Sequence, residues 1–193
     1  MNPKQLKSEG RLRIIGGQWR SRILPVVDLP GLRPTTDRVR ETLFNWLQSD
    51  IPNARCLDLF AGSGALGFEA ASRGAASVLM LEVQHKAAKT LAENILTLKA
   101  DNIKLLQQDA LSWLSEKLKD PFDIVFVDPP FDSDYLSSAC QLLEDNGYLS
   151  DHASIYLEIG SKQSLPDLPQ SWGLAREKKA GQVSYYLFRR NVE

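Results

Sequence analysis

Asp128-Pro129-Pro130-Phe131 places an acid, a rigid turn and an aromatic ring directly after the apolar run Ile124-Val125-Phe126-Val127. The Asp128 carboxylate and the Pro129 carbonyl are acceptors suited to the N–H groups of a flat amine. Two prolines stiffen the turn, so these acceptors need little reorganisation. Phe131 offers a ring face on which a heterocycle can stack. An exocyclic amine on such a ring is a poor nucleophile, because its lone pair is delocalised. Acceptors aimed at its N–H groups draw the nitrogen toward a tetrahedral shape, and alignment with an electrophile supplies the rest.

A second cluster lies upstream, in Asp58-Leu59-Phe60-Ala61-Gly62-Ser63-Gly64, again after a strand-like run. Gly62-Ser63-Gly64-Ala65-Leu66-Gly67 satisfies the G-x-G-x-x-G spacing of nucleotide-binding loops, a weak signal alone. Asp58 sharpens it. A carboxylate at the mouth of the loop would repel a pyrophosphate but attract the cationic methionine end of S-adenosylmethionine. Glu82 follows Gly62 by twenty residues, the position from which an acid accepts ribose hydroxyls. Asp109, before Ala110, is suited to an adenine amino group or, equally, to capping the next helix. The two clusters together read as a methyl-donor pocket beside a slot for an amine on a nucleobase.

These residues require a particular scaffold. From residue 54 onward strand-like and helix-like segments alternate. Strands are expected at Ala54–Phe60, Ser77–Leu81, Ile103–Leu106, Phe122–Val127 and Ser154–Ile159. Leu174–Lys178 and Val183–Arg189 read as a terminal hairpin around Ala180-Gly181-Gln182. Helices are expected after Thr36 or Asp37, after the glycine loop, around Ala88–Leu98, over Ala110–Leu118 and over Tyr135–Leu143. Such alternation predicts an α/β fold with a mostly parallel sheet covered on both faces. In such sheets ligands bind beyond the C-terminal strand ends, where Asp58, Glu82, Asp109 and Asp128 all fall. A base inside a duplex reaches such a slot only when unpaired or extruded.

The chain has 193 residues, 43% hydrophobic and 24% charged, the balance of an ordinary globular domain rather than a disordered or membrane-spanning chain. Met1 to Gly10 is polar and reads as a disordered tail without a signal peptide, which makes the cytoplasm the default. Cys56, Cys140, His85 and His152 fall in no metal-ligand spacing, so no metal is expected. Residues 1–40 hold nine basic and three acidic residues, while the remainder carries net charge −7. That asymmetry predicts a polyanionic partner reached through a basic arm. Residues 11–35 read as the arm, a small hairpin, and 36–193 as the catalytic domain. Arg11, Arg13, Arg20 and Arg22 are the expected phosphate contacts. Arg33, Arg38 and Arg40, which precede or open a helix, are expected nearer the pocket.

The two motifs resemble those of class I amino-methyltransferases. Ile14-Ile15-Gly16-Gly17-Gln18-Trp19-Arg20, the segment Leu32-Arg33-Pro34-Thr35-Thr36-Asp37-Arg38-Val39-Arg40-Glu41-Thr42-Leu43-Phe44-Asn45-Trp46-Leu47, and Ala180-Gly181-Gln182-Val183 resemble the bacterial RsmD family more narrowly. Ser21 departs from it, standing where the family usually has glycine. The resemblance runs from about residue 11 to 190. It implies a Rossmann-like seven-stranded sheet with the last strand antiparallel, S-adenosylmethionine as cofactor, and methylation of N2 of one guanine in 16S ribosomal RNA. It further implies a substrate that is a partly or fully assembled small subunit; nothing in the sequence demands more than a monomer. Asp128, Pro129, Pro130 and Phe131 are then the catalytic set. Thr36, Asp37, Asp58, Phe60, Ala61, Gly62, Ser63, Gly64, Glu82, Asp109 and Ala110 are the donor set, with Thr36 and Asp37 covering the donor. The residues alone leave open N6-adenine methylation of DNA and a non-catalytic RNA-binding assembly role. A nicotinamide dehydrogenase leaves Asp128–Phe131 unexplained.

Overall fold

Short apolar runs separated by helices cannot fold back as hairpins, so successive strands lie parallel with helices crossing between them. The computed structural model describes residues 10–27, 35–117, 120–130 and 135–192. Gly10–Arg13 (β1) and Ile23–Val26 (β2) pair as a separate antiparallel hairpin. Asp37–Trp46 (α1) leads into Arg55–Asp58 (β3), Ala65–Ser72 (α2), Ser77–Leu81 (β4), His85–Leu98 (α3) and Ile103–Leu106 (β5). Ala110–Leu114 (α4), Phe122–Val127 (β6), Tyr135–Asp145 (α5), Leu149–Gly160 (β7), Trp172–Ala180 (β8) and Val183–Arg190 (β9) complete the described chain. The main sheet has seven strands in the order β5-β4-β3-β6-β7-β9-β8 among the described residues. β3 to β7 are mutually parallel, and β9 runs antiparallel to both its neighbours.

The alternation of strand side chains divides the core. Cys56, Met80, Phe126 and Tyr156 point to one face, where they pack with residues of α1, α2, α3 and the hairpin. Leu57, Leu81, Val127 and Leu157 point to the other, against α4 and α5. Strand order reverses between β3 and β6, which opens a crevice there at the C-terminal rim. Asp58 ends β3, and Asp128 follows β6. The expected α4 is shorter than read. It closes at Ser115, whose N–H bonds back to the carbonyls of Leu111 and Trp113. Among the described residues no helix is long and apolar enough to cross a membrane.

The hairpin lies on the domain rather than standing off it. Leu12, Ile14, Leu24 and Val26 are buried in the same cluster as α1 and α2, and Asn94 of α3 donates to the Pro25 carbonyl at 2.9 Å. Gly17, at φ +75°, lets the chain pass so close that an added Cβ would sit 1.8 Å from the Ser72 carbonyl oxygen. Ser21 adopts φ +67°, the left-handed region that favours glycine; its N–H still donates to the Ile14 carbonyl at 2.8 Å.

The clamp of this docking is Glu69, fully buried on α2. Its carboxylate accepts from the Ile15 and Gly16 N–H groups at 2.9 and 2.8 Å. It also pairs with Arg73 at 2.6 Å and with Arg40 at 3.4 Å. Arg40, 1% exposed, donates further to the Arg13 carbonyl and to Asp37. Breaking a buried pair from one side strands the remaining charge. Glu69→Gln is therefore expected to cost about 3 kcal/mol of stability, read as a lower urea midpoint at unchanged slope.

Candidate active site

The four rim acids and the glycine loop enclose one cavity of 590 Å³, a volume suited to a nucleoside-sized ligand. β3 delivers Asp58, and the chain then turns through Phe60–Ser63 into α2. Gly64 stands at the N-cap with φ +77°, where a Cβ would meet Phe68 and Leu91 at 2.5 and 2.6 Å. The Gly67 N–H, in the first turn of α2, donates to Asp58 Oδ2 at 2.9 Å. Asp58 is 3% exposed. Burial pushes its carboxyl up to about 7, against the Gly67 hydrogen bond and with a smaller push from Glu82.

Glu82, at the end of β4, staples two loops. Its Oε2 accepts from Gly62 N at 2.9 Å and its Oε1 from Gln84 N at 2.7 Å. Each carboxylate oxygen keeps a further lone pair for a ligand. Asp109 caps α4 by accepting from Ser112 N at 2.8 Å, while still lining the cavity. Thr36 caps α1 through Val39 N and also lines the cavity.

Asp128, Pro129 and Pro130 line the same cavity. Asp128 is half-buried. Burial, then Glu158, then Asp58 hold its carboxyl well above the usual carboxylate range, opposed by a hydrogen bond from Thr35. Phe60 and Tyr135 form a ring pair on the cavity wall, with centroids 6.1 Å apart.

The structure thus brings together Thr36, Asp58, Phe60, Ala61, Gly62, Ser63, Glu82, Asp109, Ala110, Asp128, Pro129 and Pro130 around one space. Phe131 and Arg33 lie outside the described residues. Asp37 is not part of the lining. Its carboxylate is engaged by Arg13 at 2.8 Å and Arg40 at 2.6 Å, and the Arg13 hydrogen bond is the main cause that holds it below its ordinary range. Gly64 shapes the loop without lining the cavity. Arg40 cannot meet a phosphate, because Glu69 and Asp37 hold it inside the fold. Arg11, Arg13, Arg20, Arg22 and Arg38 are exposed.

Several cavity residues escaped the sequence reading: Thr35, Val39, Tyr135, Glu158 and the turn Ala180–Val183. Glu158 carried a legible signal, being an acid inside the apolar run Tyr156-Leu157-Glu158-Ile159 at a strand end.

The family model described as Conserved hypothetical protein 95 matches residues 12–189. The chain belongs to this family, the RsmD family. The Escherichia coli K12 protein named Ribosomal RNA small subunit methyltransferase D is 54% identical over 184 residues, covering 95% of this chain and 92% of that protein. A Haemophilus influenzae protein of the same name is 45% identical over 94% of this chain and 95% of its own length. The solved structure of Escherichia coli yhhF superposes with a TM-score of 0.88 at 51% identity, over 95% of this chain and all of that one. A solved S-adenosylmethionine-dependent methyltransferase from Aquifex aeolicus shares the fold at a TM-score of 0.54 and 15% identity, over 76% of this chain and 88% of that one. The RsmD-family sheet seen here is accordingly the class I methyltransferase sheet.

The Asp58 carboxyl sets a pH signature. Its folded pKa of about 7 lies above the roughly 3.9 of an unfolded aspartate, so the folded state binds this proton more tightly. The stability it contributes is complete below about pH 4 and is lost as pH rises through about 7. Asp58→Asn stays neutral and can still accept from Gly67. Relative to the parent, the ligand-free variant should gain about 2–3 kcal/mol between pH 5 and pH 8, measured by denaturant unfolding at both values.

Proposed function

We propose that this protein is an S-adenosylmethionine-dependent methyltransferase that modifies the exocyclic N2 amine of one guanine in 16S ribosomal RNA, on partly or fully assembled small subunits. The observation that carries the reading is that Asp128-Pro129-Pro130 shares one cavity with the glycine loop and Glu82. The names of the bacterial relatives support ribosomal RNA of the small subunit as the substrate class.

The residues present fit the cofactor. Glu82 has acceptor capacity for ribose hydroxyls, Asp109 for the adenine amine, and Asp58 supplies a negative charge for the methionine end. The loop Phe60–Ser63 gives close backbone approach, and Thr36 stands over the cavity. When bound, S-adenosylmethionine supplies a methyl group on a cationic sulfur for direct in-line transfer to nitrogen.

The chain's own task is placement. Asp128 and the Pro129 carbonyl accept from the two amine N–H groups and turn the nitrogen lone pair toward the methyl group. Phe60 and Tyr135 provide ring surface for the base. After transfer the nitrogen is cationic and must lose a proton. Asp128, whose carboxyl burial, Glu158 and Asp58 hold above the ordinary carboxylate range, can accept that proton. Water can carry the proton out, so no separate strong base is needed. The exposed arginines of the hairpin meet RNA phosphates and bring an unpaired guanine to the rim.

Transfer of labelled methyl from S-adenosylmethionine to small subunits lacking the modification, to naked 16S RNA and to DNA tests the proposal. N2-methylguanine at one RNA position is the expected product; N6-methyladenine in DNA would overturn it. Asp128→Ala should keep donor affinity, measured by calorimetry, and lower kcat by at least about 100-fold; near-normal turnover would remove Asp128 from the mechanism. Replacing Arg20 and Arg22 with Gln should weaken subunit binding and reduce its salt slope by ~1 per arginine, with donor affinity unchanged.

A further inference from the structure

β6 and β7 are parallel and in register as far as Val127 and Leu157. The next rung sets Asp128 beside Glu158. In-register residues of neighbouring parallel strands project to the same face, about 5 Å apart at the backbone, and both of these line the cavity. Glu158 is 5% exposed, so it is a deliberate feature of the site rather than a solvated charge. The Tyr156 hydroxyl donates to its Oε2 at 2.6 Å. Tyr156 is in turn wedged between Phe126 and Tyr185, with ring centroids at 6.4 and 6.3 Å. One carboxylate oxygen is thereby fixed, and among the described residues Oε1 stays available to a ligand.

Two adjacent acceptors at the end of an amine slot match one nucleobase edge. Guanine presents two neighbouring donors, N1–H and N2–H. Adenine presents its N6 amine beside N1, which is itself an acceptor. An adenine in this slot would set a ring lone pair against the ionised carboxylate, an arrangement without a hydrogen bond. We propose that Glu158 is the specificity-determining residue of the reaction, accepting N1–H of guanine while Asp128 accepts N2–H. This role rests on the guanine reading above and adds to it the atom that is read. Without a ligand the anions are disfavoured, since burial raises both carboxyls and Glu158 further raises Asp128. Two N–H donors from one base favour both anions at once.

2-Aminopurine separates reading from reaction, because it keeps the 2-amine and lacks N1–H. Small subunits are reconstituted with 16S RNA carrying guanine or 2-aminopurine at the position that the parent protein methylates. The parent should prefer guanine in kcat/KM by at least about 100-fold. In Glu158→Gln, whose amide can donate to the ring N1 of 2-aminopurine, the preference should fall at least about tenfold. Equal use of both bases by the parent, or an undiminished preference in Glu158→Gln, overturns the proposal. If Glu158→Gln fails to fold, by melting and donor binding, Glu158→Asp retains the charge and withdraws the acceptor by one methylene. An undiminished preference there overturns the proposal as well. Absence of any N2-methylguanine with the parent protein is a separate failure, which removes the reaction itself.

Discussion

Everything that bears on the site hangs from one buried carboxylate. Glu69 sits on the helix that follows the glycine loop, with two guanidinium groups and two backbone N–H groups converging on it. Burying a lone charge there would be prohibitive, and the four donors make it tolerable. Their origin is the important point. Arg73 comes from α2, Arg40 from α1, and the N–H groups from the segment after β1. One ion thus binds the basic hairpin, α1 and the helix that follows the glycine loop into a single body.

The rim poses the opposite electrostatic problem, since Asp58, Glu82, Asp128 and Glu158 crowd acids into one cavity. The chain resolves it unevenly. Glu82 is satisfied by backbone N–H groups on both oxygens. Asp58 has one such donor, and burial prevails. At Asp128, among the described residues, the Thr35 hydrogen bond stands against burial and two like charges. The unmet demand for donors therefore grows along the rim from the loop toward the amine slot. A ligand carrying a cationic end and a base presenting N–H groups would supply what the protein withholds.

Much of this was legible in the sequence because strand ends announce themselves. Acids at or just past the ends of strand-like runs located Asp58, Glu82, Asp109 and Asp128, and alternation with helices put them on one rim. The remainder depended on contacts that periodicity does not encode. Arg40 looked like its neighbours Arg33 and Arg38, yet helical phase turns it inward toward Glu69. Asp37 reads as a cap or a cover, and only the docked hairpin explains why Arg13 claims it. Glu69 itself lies in the run Gly67-Phe68-Glu69-Ala70-Ala71, where a charge gave no hint of its four partners. The turn Ala180–Val183 reaches the cavity because β9 inserts between β7 and β8, a matter of strand order rather than of local pattern.

Gly17 has a consequence of another kind. Its backbone is seated against Ser72, and the neighbouring Gln18 N–H donates to the Ser72 carbonyl, so the hairpin is tied to α2. A docked hairpin would hold the exposed arginines at a set separation from the proposed amine slot, like the two points of a locked caliper. Under the proposed reaction, a guanine would qualify as a substrate by standing at that offset from a phosphate track, in a folded RNA that holds the same spacing. Selection among many chemically identical guanines then becomes a measurement of distance, and a loose RNA chain, which keeps no such spacing, would be poorly measured.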